Sequence, residues 1–122
     1  MKIKNLVKGL DYVGDAEGKR QRYYVFRGGD YFLVLSFSKT KARAGNFNIV
    51  DAEAVDYVRS RFRGRKSVTS NDVVAKARRT RHVPTRLAAL NIVYVLVALG
   101  EARVDSRRGG QKLYFNFSHG RA

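Results

Sequence analysis

Cysteine and tryptophan are absent from this chain, proline occurs once, and the only two histidines are His82 and His119. Without cysteine, disulfide bonds and thiolate metal sites are excluded, and two isolated histidines form neither a metal triad nor a general-base arrangement. A glycine-rich phosphate loop with its lysine is also missing. The sequence therefore predicts a protein with no metal, no cofactor and no catalytic centre.

One short segment combines acids and a lysine as metal-dependent nucleases do, namely Glu17-Gly18-Lys19 after Asp11 and Asp15. The spacing is too short for the acids to come from separate strands, and we interpret the segment as a turn. The sequence favours a binding protein over an enzyme.

Long hydrophobic runs are missing too. No apolar run reaches the roughly 18 residues of a membrane span, and the N-terminus lacks the pattern of a signal peptide. We expect a cytoplasmic protein that does not enter a membrane.

Acidic residues are scarce, with 10 Asp and Glu against 25 Lys and Arg, which gives a net charge of +15 on 122 residues. Because such a charge opposes compaction, a polyanionic partner is its usual explanation. The hydrophobic content of 44% is that of a folded protein. Nucleic acid is the favoured partner.

The apolar pattern changes near Asp51. Before it, residues 22–27 and 31–37 alternate as strands around Gly28-Gly29-Asp30, which predicts a hairpin whose second strand is covered at least partly on both faces. Phe47 and Ile49 predict a further short strand. The first 50 residues thus form a small antiparallel sheet.

After Asp51 the apolar spacing is helical. A first helix is predicted over 52–62, with Asp51 as its N-cap and Gly64 as its stop. Thr69 and Asp72 have the spacing of a capping box before a second helix. A third helix is predicted to start at Pro84 and to stop at Gly100, followed by two strands around an arginine-rich Gly-Gly turn.

Three helices followed by a hairpin resemble the winged-helix variant of the helix-turn-helix over residues 51–117. The resemblance rests on residues 68–74, residues 96–104 and the basic glycine-rich turn at 106–111. It implies an α+β protein with a C-terminal winged-helix domain at 51–122, preceded by a β subdomain at 1–50 that we do not recognise.

The resemblance also implies that the start of the third helix and the tip of the hairpin meet DNA. The link after the first helix is a further candidate for phosphate contacts. The predicted DNA-binding residues are Arg65, Lys66, Arg78, Arg79, Arg81, His82, Thr85, Arg86, Arg107, Arg108 and Lys112, with Lys39, Lys41 and Arg43 as secondary phosphate contacts.

Two further features leave alternatives open. The third helix is apolar on nearly every face between Leu87 and Leu99, so we expect a cover from the N-terminal sheet or, second, from a homodimer partner. The aromatic residues of the first hairpin either pack in the core, which is the commoner use, or stack single-stranded bases. They are Tyr23, Tyr24, Phe26, Tyr31 and Phe32.

The function we expect is binding of duplex DNA, as a transcription regulator or a nucleoid-associated chromatin protein. A structural RNA-binding protein is the alternative, since the charge also suits RNA. A protein-interaction module is a third reading, and it leaves the arginines unexplained.

Overall fold

The computed structural model describes residues 7–18, 20–40, 45–77, 85–105 and 113–118, in which four strands come before three helices and two short strands come after them. The strands are β1 (Asp11–Glu17), β2 (Gln21–Gly28), β3 (Tyr31–Ser38), β4 (Gly45–Asp51), β5 (Ala102–Val104) and β6 (Phe115–Phe117), and the helices are α1 (Ala52–Phe62), α2 (Ser70–Ala77) and α3 (Arg86–Ala98). Within these ranges, no helix has both the length and the apolar character needed to cross a membrane.

The first four strands form one antiparallel sheet in the order β1-β2-β3-β4. The predicted hairpin is confirmed as β2 and β3, with Gly29 at φ 55° in the turn, a backbone conformation that favours glycine. The predicted strand at Phe47 and Ile49 is confirmed as β4. Phe32, Leu33, Val34 and Leu35 are all buried, as expected for a strand covered on both faces.

β1 is a strand that the sequence analysis missed. Glu17 ends β1 opposite Arg22 of β2, so the interpretation of this segment as a turn is wrong at Glu17. Asp and Gly are depleted in strands, and the register shifts between Tyr12 and Gly14, which hides the alternation from a sequence pattern. Most residues of β1 have low strand propensity, and the strand forms because it hydrogen-bonds to β2.

α1 follows β4 directly and has the predicted bounds, with Val55, Val58 and Phe62 buried on one stripe. Asp51 occupies the N-cap position, but its side chain makes no capping hydrogen bond. The amide of Ala52, the first residue of α1, donates to the carbonyl of Asp30 at 2.9 Å. The prediction was therefore right about the position and wrong about the capping side chain.

α2 begins with the predicted capping box. The Thr69 amide donates to Asp72 Oδ2 at 2.9 Å, and the Asp72 amide donates to Thr69 Oγ1 at 3.1 Å. This reciprocal pair satisfies two amides that a helix start leaves without partners.

α3 begins at Arg86 and not at Pro84, so the predicted start is wrong by two residues. Thr85 has extended backbone angles, and its Oγ1 accepts from the Ala88 amide at 3.0 Å, which makes it the N-cap. The predicted stop at Gly100 is confirmed. Gly100 has φ 79°, and the amides of Gly100 and Glu101 donate to the carbonyls of Val97 and Leu96.

α3 lies between the sheet and the other two helices. Ile92, Val93 and Leu96 are almost completely buried in a core that also contains Val25 of β2 and Val55 of α1. Tyr94 stacks on Tyr23 of β2 with ring centroids 4.0 Å apart. The sheet is therefore the cover that the apolar third helix required, and it is the first of the two covers we expected.

The α+β class holds, but the predicted architecture of a C-terminal winged helix behind a small sheet is wrong. In the described residues, a four-stranded sheet comes first and three helices follow it, and after α3 the described elements are the two three-residue strands β5 and β6. Because α3 is apolar on nearly every face, it packs on the sheet as well as on α1 and α2. Sheet and helices are built around one continuous hydrophobic core.

Candidate nucleic-acid interface

β5 and β6 pair with each other, and the segment after α1 adds to β6 on its other side. Val68 and Phe115 exchange both backbone hydrogen bonds, at 2.8 and 2.9 Å, and the Phe117 amide donates to the Arg65 carbonyl at 2.8 Å. We call this unit, residues 64–68 with β5 and β6, the small sheet. It holds the link after α1 against β6.

The two faces of the small sheet differ sharply. Ala102, Phe115 and Phe117 are buried on the inner face, while Arg103 and Asn116, which are opposite each other in the register, alternate with them and lie on the outer face. Asn116 Oδ1 accepts the Ser67 amide at 3.0 Å, which ties the link to the outer face at this point.

Lys66 and Arg103 line one shallow depression of this outer face together with Asn116. Both cations are exposed, and neither makes an ion pair with any carboxylate in the described ranges. The same holds for Arg63 and Arg65, which are exposed in the link after α1. We refer to Lys66 and Arg103 as the basic surface; Arg63 and Arg65 lie next to it in the sequence, with Arg65 over the ring of Phe62.

Glu101 also lines this depression, but its carboxylate is already engaged. Arg59 of α1 donates from Nε to Glu101 Oε1 at 2.6 Å and from its Nη2 to Glu101 Oε2 at 3.0 Å, and it also binds Asp56. Burial disfavours the charged form of Arg59, yet the hydrogen bonds and charges of these two carboxylates raise its pKa. The Glu101 carboxylate, the acid that lines the depression, is therefore already bound by Arg59, which it shares with Asp56.

Arg65 and Lys66 were predicted from the sequence, and the small sheet brings Lys66 together with Arg103. Arg103 was missed, although a signal was present. Ala102, Arg103 and Val104 alternate small, charged and apolar, which places the arginine alone on the outer face of a strand.

Thr85 and Arg86 lie in a different place. Thr85 lines a groove between β4 and α3 with Asp51 and Leu87, and not the depression of Lys66 and Arg103. Its hydroxyl oxygen accepts a hydrogen bond from the Ala88 amide, and the hydroxyl proton can still be donated to a ligand. Arg86 is exposed in the first turn of α3, which contains no acid. These two residues form a separate candidate contact.

Lys39, which was expected as a secondary phosphate contact, forms an ion pair with a carboxylate that a second cation shares. Its Nζ lies 2.8 Å from Glu17 Oε1, and Arg22 lies 3.5 Å from the same oxygen. The hydrogen bond and charge of Lys39, followed by those of Arg22, lower the pKa of Glu17 below its usual value. Two cations thus share one carboxylate at the end of β1.

The remaining predicted residues, which are Arg78, Arg79, Arg81, His82, Arg107, Arg108, Lys112, Lys41 and Arg43, lie outside the described residues. In the described part of the chain, no three acids or histidines are grouped so that they could hold a metal ion.

Comparison of the chain with protein-family models, curated proteins and solved structures found no match. The resemblance to the winged-helix superfamily therefore stays a prediction, and the function is argued from the site alone.

Proposed function

We propose that this protein binds double-stranded DNA through the basic surface. The observation that carries the proposal is the pairing of Lys66 and Arg103 in one depression, with the adjacent Glu101 occupied by Arg59. Exposed cations that lack a carboxylate repel each other, and phosphate groups relieve that repulsion. Guanidinium groups also bind phosphate oxygens bidentately.

The character of the outer face favours a double helix over an unpaired strand. The small sheet presents Arg103 and Asn116 outward, and its phenylalanines Phe115 and Phe117 are buried. A surface of cations and amides reads the phosphate backbone, whereas unpaired bases need exposed rings on which to stack. Duplex DNA presents about one charge per 1.7 Å of helix axis, which suits such a surface.

The sequence adds cations close to this surface along the chain. Arg107 and Arg108 follow Arg103 by four and five positions. With a net charge of +15, binding without strong sequence preference is expected, as in a nucleoid-associated protein of the cytoplasm or a regulator with additional base contacts. Selection of bound sequences from random duplexes separates the two roles, because only a regulator enriches a motif.

The proposal is tested by fluorescence anisotropy of a labelled duplex over a range of salt concentrations. The double variant Lys66→Ala/Arg103→Ala should bind more weakly and should reduce the slope of log K against log salt by about 2, one for each lost phosphate contact. The matched control is Lys8→Ala/Arg20→Ala, which removes the same charge from exposed positions outside the basic surface. Its slope should stay close to that of the unmodified protein.

Absence of duplex binding at low salt would reject the proposal. Equal losses in the two double variants would reject the location, because only total charge would then matter. A competition between duplex DNA and a structured RNA hairpin addresses the RNA alternative. If the hairpin displaces the duplex at lower concentration than unlabelled duplex does, the protein is an RNA-binding protein that uses the same surface.

A further inference from the structure

The four-stranded sheet has a second face, turned away from the helices. Val25, Val34 and Val50 belong to the core shared with α1 and α3, and the residues that alternate with them point to the opposite side. Among these, Leu33 and Leu35 are only 4% exposed although they lie outside that core. Six aromatic residues share this face with them, which are Tyr12, Tyr24, Phe26, Tyr31, Phe37 and Phe47. We call these six residues the aromatic face.

Two rings of the aromatic face are exposed, and the other four are half-buried. Tyr12 is 57% exposed and Phe47 is 55% exposed, at the two edges of the sheet. Tyr12 lies against Phe26 with centroids 5.4 Å apart, and Tyr24 lies against Phe37 at 5.9 Å. Tyr24, Leu35 and Phe47 are direct neighbours across three strands. An apolar sheet face of this extent marks a binding surface.

Cations accompany the rings at one end of the face. Arg22 and Lys39 line a single depression with Tyr24 and Phe37. Both cations share Glu17, so two positive charges face one carboxylate and one positive charge remains uncompensated within this group. Arg20, exposed beside them, has its carbonyl hydrogen-bonded to the Lys39 amide at 3.0 Å.

The acids on this face, Asp15 and Asp51, lie on the edge strands β1 and β4, opposite Tyr24 and Tyr31 in the register. Neither belongs to the residues that line the depression with the rings. At the end that carries Tyr24 and Phe37, three cations (Arg20, Arg22 and Lys39) and two acids (Glu17 and Asp15) leave a net charge of +1.

We propose that the aromatic face binds single-stranded nucleic acid, with bases stacked on Tyr24, Phe37 and Phe47 and phosphates held at Arg22 and Lys39. Stacking on aromatic side chains accepts any base, and cations beside the rings hold the backbone, which together is the chemistry of single-strand recognition. A second copy of the chain is the less suitable occupant, because it brings a further net charge of +15 to the same cations. This surface is distinct from the basic surface and does not depend on it.

The absence of tryptophan makes a direct test available, because Phe47→Trp introduces the only indole of the chain. A labelled oligothymidylate of about 15 nucleotides serves as the probe. Phe47→Trp should bind it like the unmodified protein, and its indole fluorescence should be quenched on saturation. Phe47→Ala should weaken binding by about 5- to 100-fold, the range that the loss of one stacked base produces.

The matched control is Ile49→Ala, because Ile49 is 61% exposed on the same strand and face but carries no ring. It should change the affinity less than twofold. Duplex affinity should be unchanged in Phe47→Ala, and oligothymidylate affinity should be unchanged in Lys66→Ala/Arg103→Ala, so the two proposals fail separately.

Three outcomes would overturn the inference. They are no binding of the oligonucleotide by the unmodified protein, equal losses in Phe47→Ala and Ile49→Ala, and an indole that is not quenched. Analytical ultracentrifugation tests whether a second copy of the chain occupies the aromatic face. A dimer that both alanine variants dissociate would assign the aromatic face to self-association instead.

Discussion

Thr69 and Asp51 occupy the same kind of position, the residue before a helix, and only Thr69 caps through its side chain. Thr69 and Asp72 exchange two hydrogen bonds at the start of α2. Asp51 makes no capping hydrogen bond through its side chain, and the amide of Ala52 donates to the Asp30 carbonyl, which the β3–β4 pairing places beside it. The residue type alone does not distinguish the two cases.

The two caps should therefore differ in stability. Thr69→Ala should lower the free energy of unfolding by about 1 kcal/mol, because the Asp72 amide loses its acceptor. Asp51→Ala should cost about half of that or less, since only the attraction of its charge to the helix dipole is lost. Urea denaturation followed by circular dichroism measures both. Equal losses would show that Asp51 caps α1 in solution.

At the scale of elements, β1 and α3 approach each other where Gly14 meets the end of the helix. A Cβ atom built on Gly14 would lie 2.5 Å from the carbonyl oxygen of Ala98. This neighbour is backbone and cannot rotate away as a side chain can. Gly14 lowers the strand propensity of β1, and the same glycine allows α3 to pack closely on the sheet.

Gly14→Ala should separate these two elements and lower the free energy of unfolding by about 1–3 kcal/mol, the usual cost of overpacking. Its exposed neighbour Asp15 provides the control, because Asp15→Ala should change stability by no more than about 0.5 kcal/mol. Urea denaturation midpoints compare the two variants. A Gly14→Ala variant as stable as the unmodified protein would mean that β1 and α3 are not in close contact.

For the whole molecule, repulsion among the cations is an unfavourable contribution to folding. The chain carries +15, and in the described residues only Arg22, Lys39 and Arg59 form ion pairs with carboxylates. Folding brings the other cations closer together than they are in the unfolded chain. The same repulsion that opposes folding is relieved when an anion binds.

Added salt should consequently stabilise the protein. Between about 20 and 300 mM NaCl, the free energy of unfolding should rise by about 1 kcal/mol, because the Debye length shortens to below 10 Å. The variant Lys8→Ala/Arg20→Ala/Lys76→Ala lowers the net charge from +15 to +12, since three cations are lost, and should gain less from salt. Thermal denaturation at each salt concentration provides the measurement, and a stability that falls with salt would contradict this account.

Much of the local structure could be predicted, because it depends on neighbours in the sequence. The bounds of α1, the β2–β3 hairpin, the Thr69–Asp72 capping box and the stop at Gly100 all follow from spacing within a few residues. β1 could not be found in this way, since its stability comes from β2 and α3. The winged-helix architecture failed for a related reason, as the order of three helices and a hairpin does not specify what α3 packs against.

The sequence by itself determined the charge of the protein, the periodicity of most of its elements and the turns between them, since these depend on composition and on contacts within one or two turns of chain. Only the tertiary structure decided that Glu101 binds Arg59, 42 residues away, that Arg103 joins Lys66 on one surface, and that Tyr12 and Phe47 stay exposed on one side of the sheet. Those outcomes depend on packing between segments that are distant in the sequence. Such packing leaves no local sequence pattern from which it could be predicted.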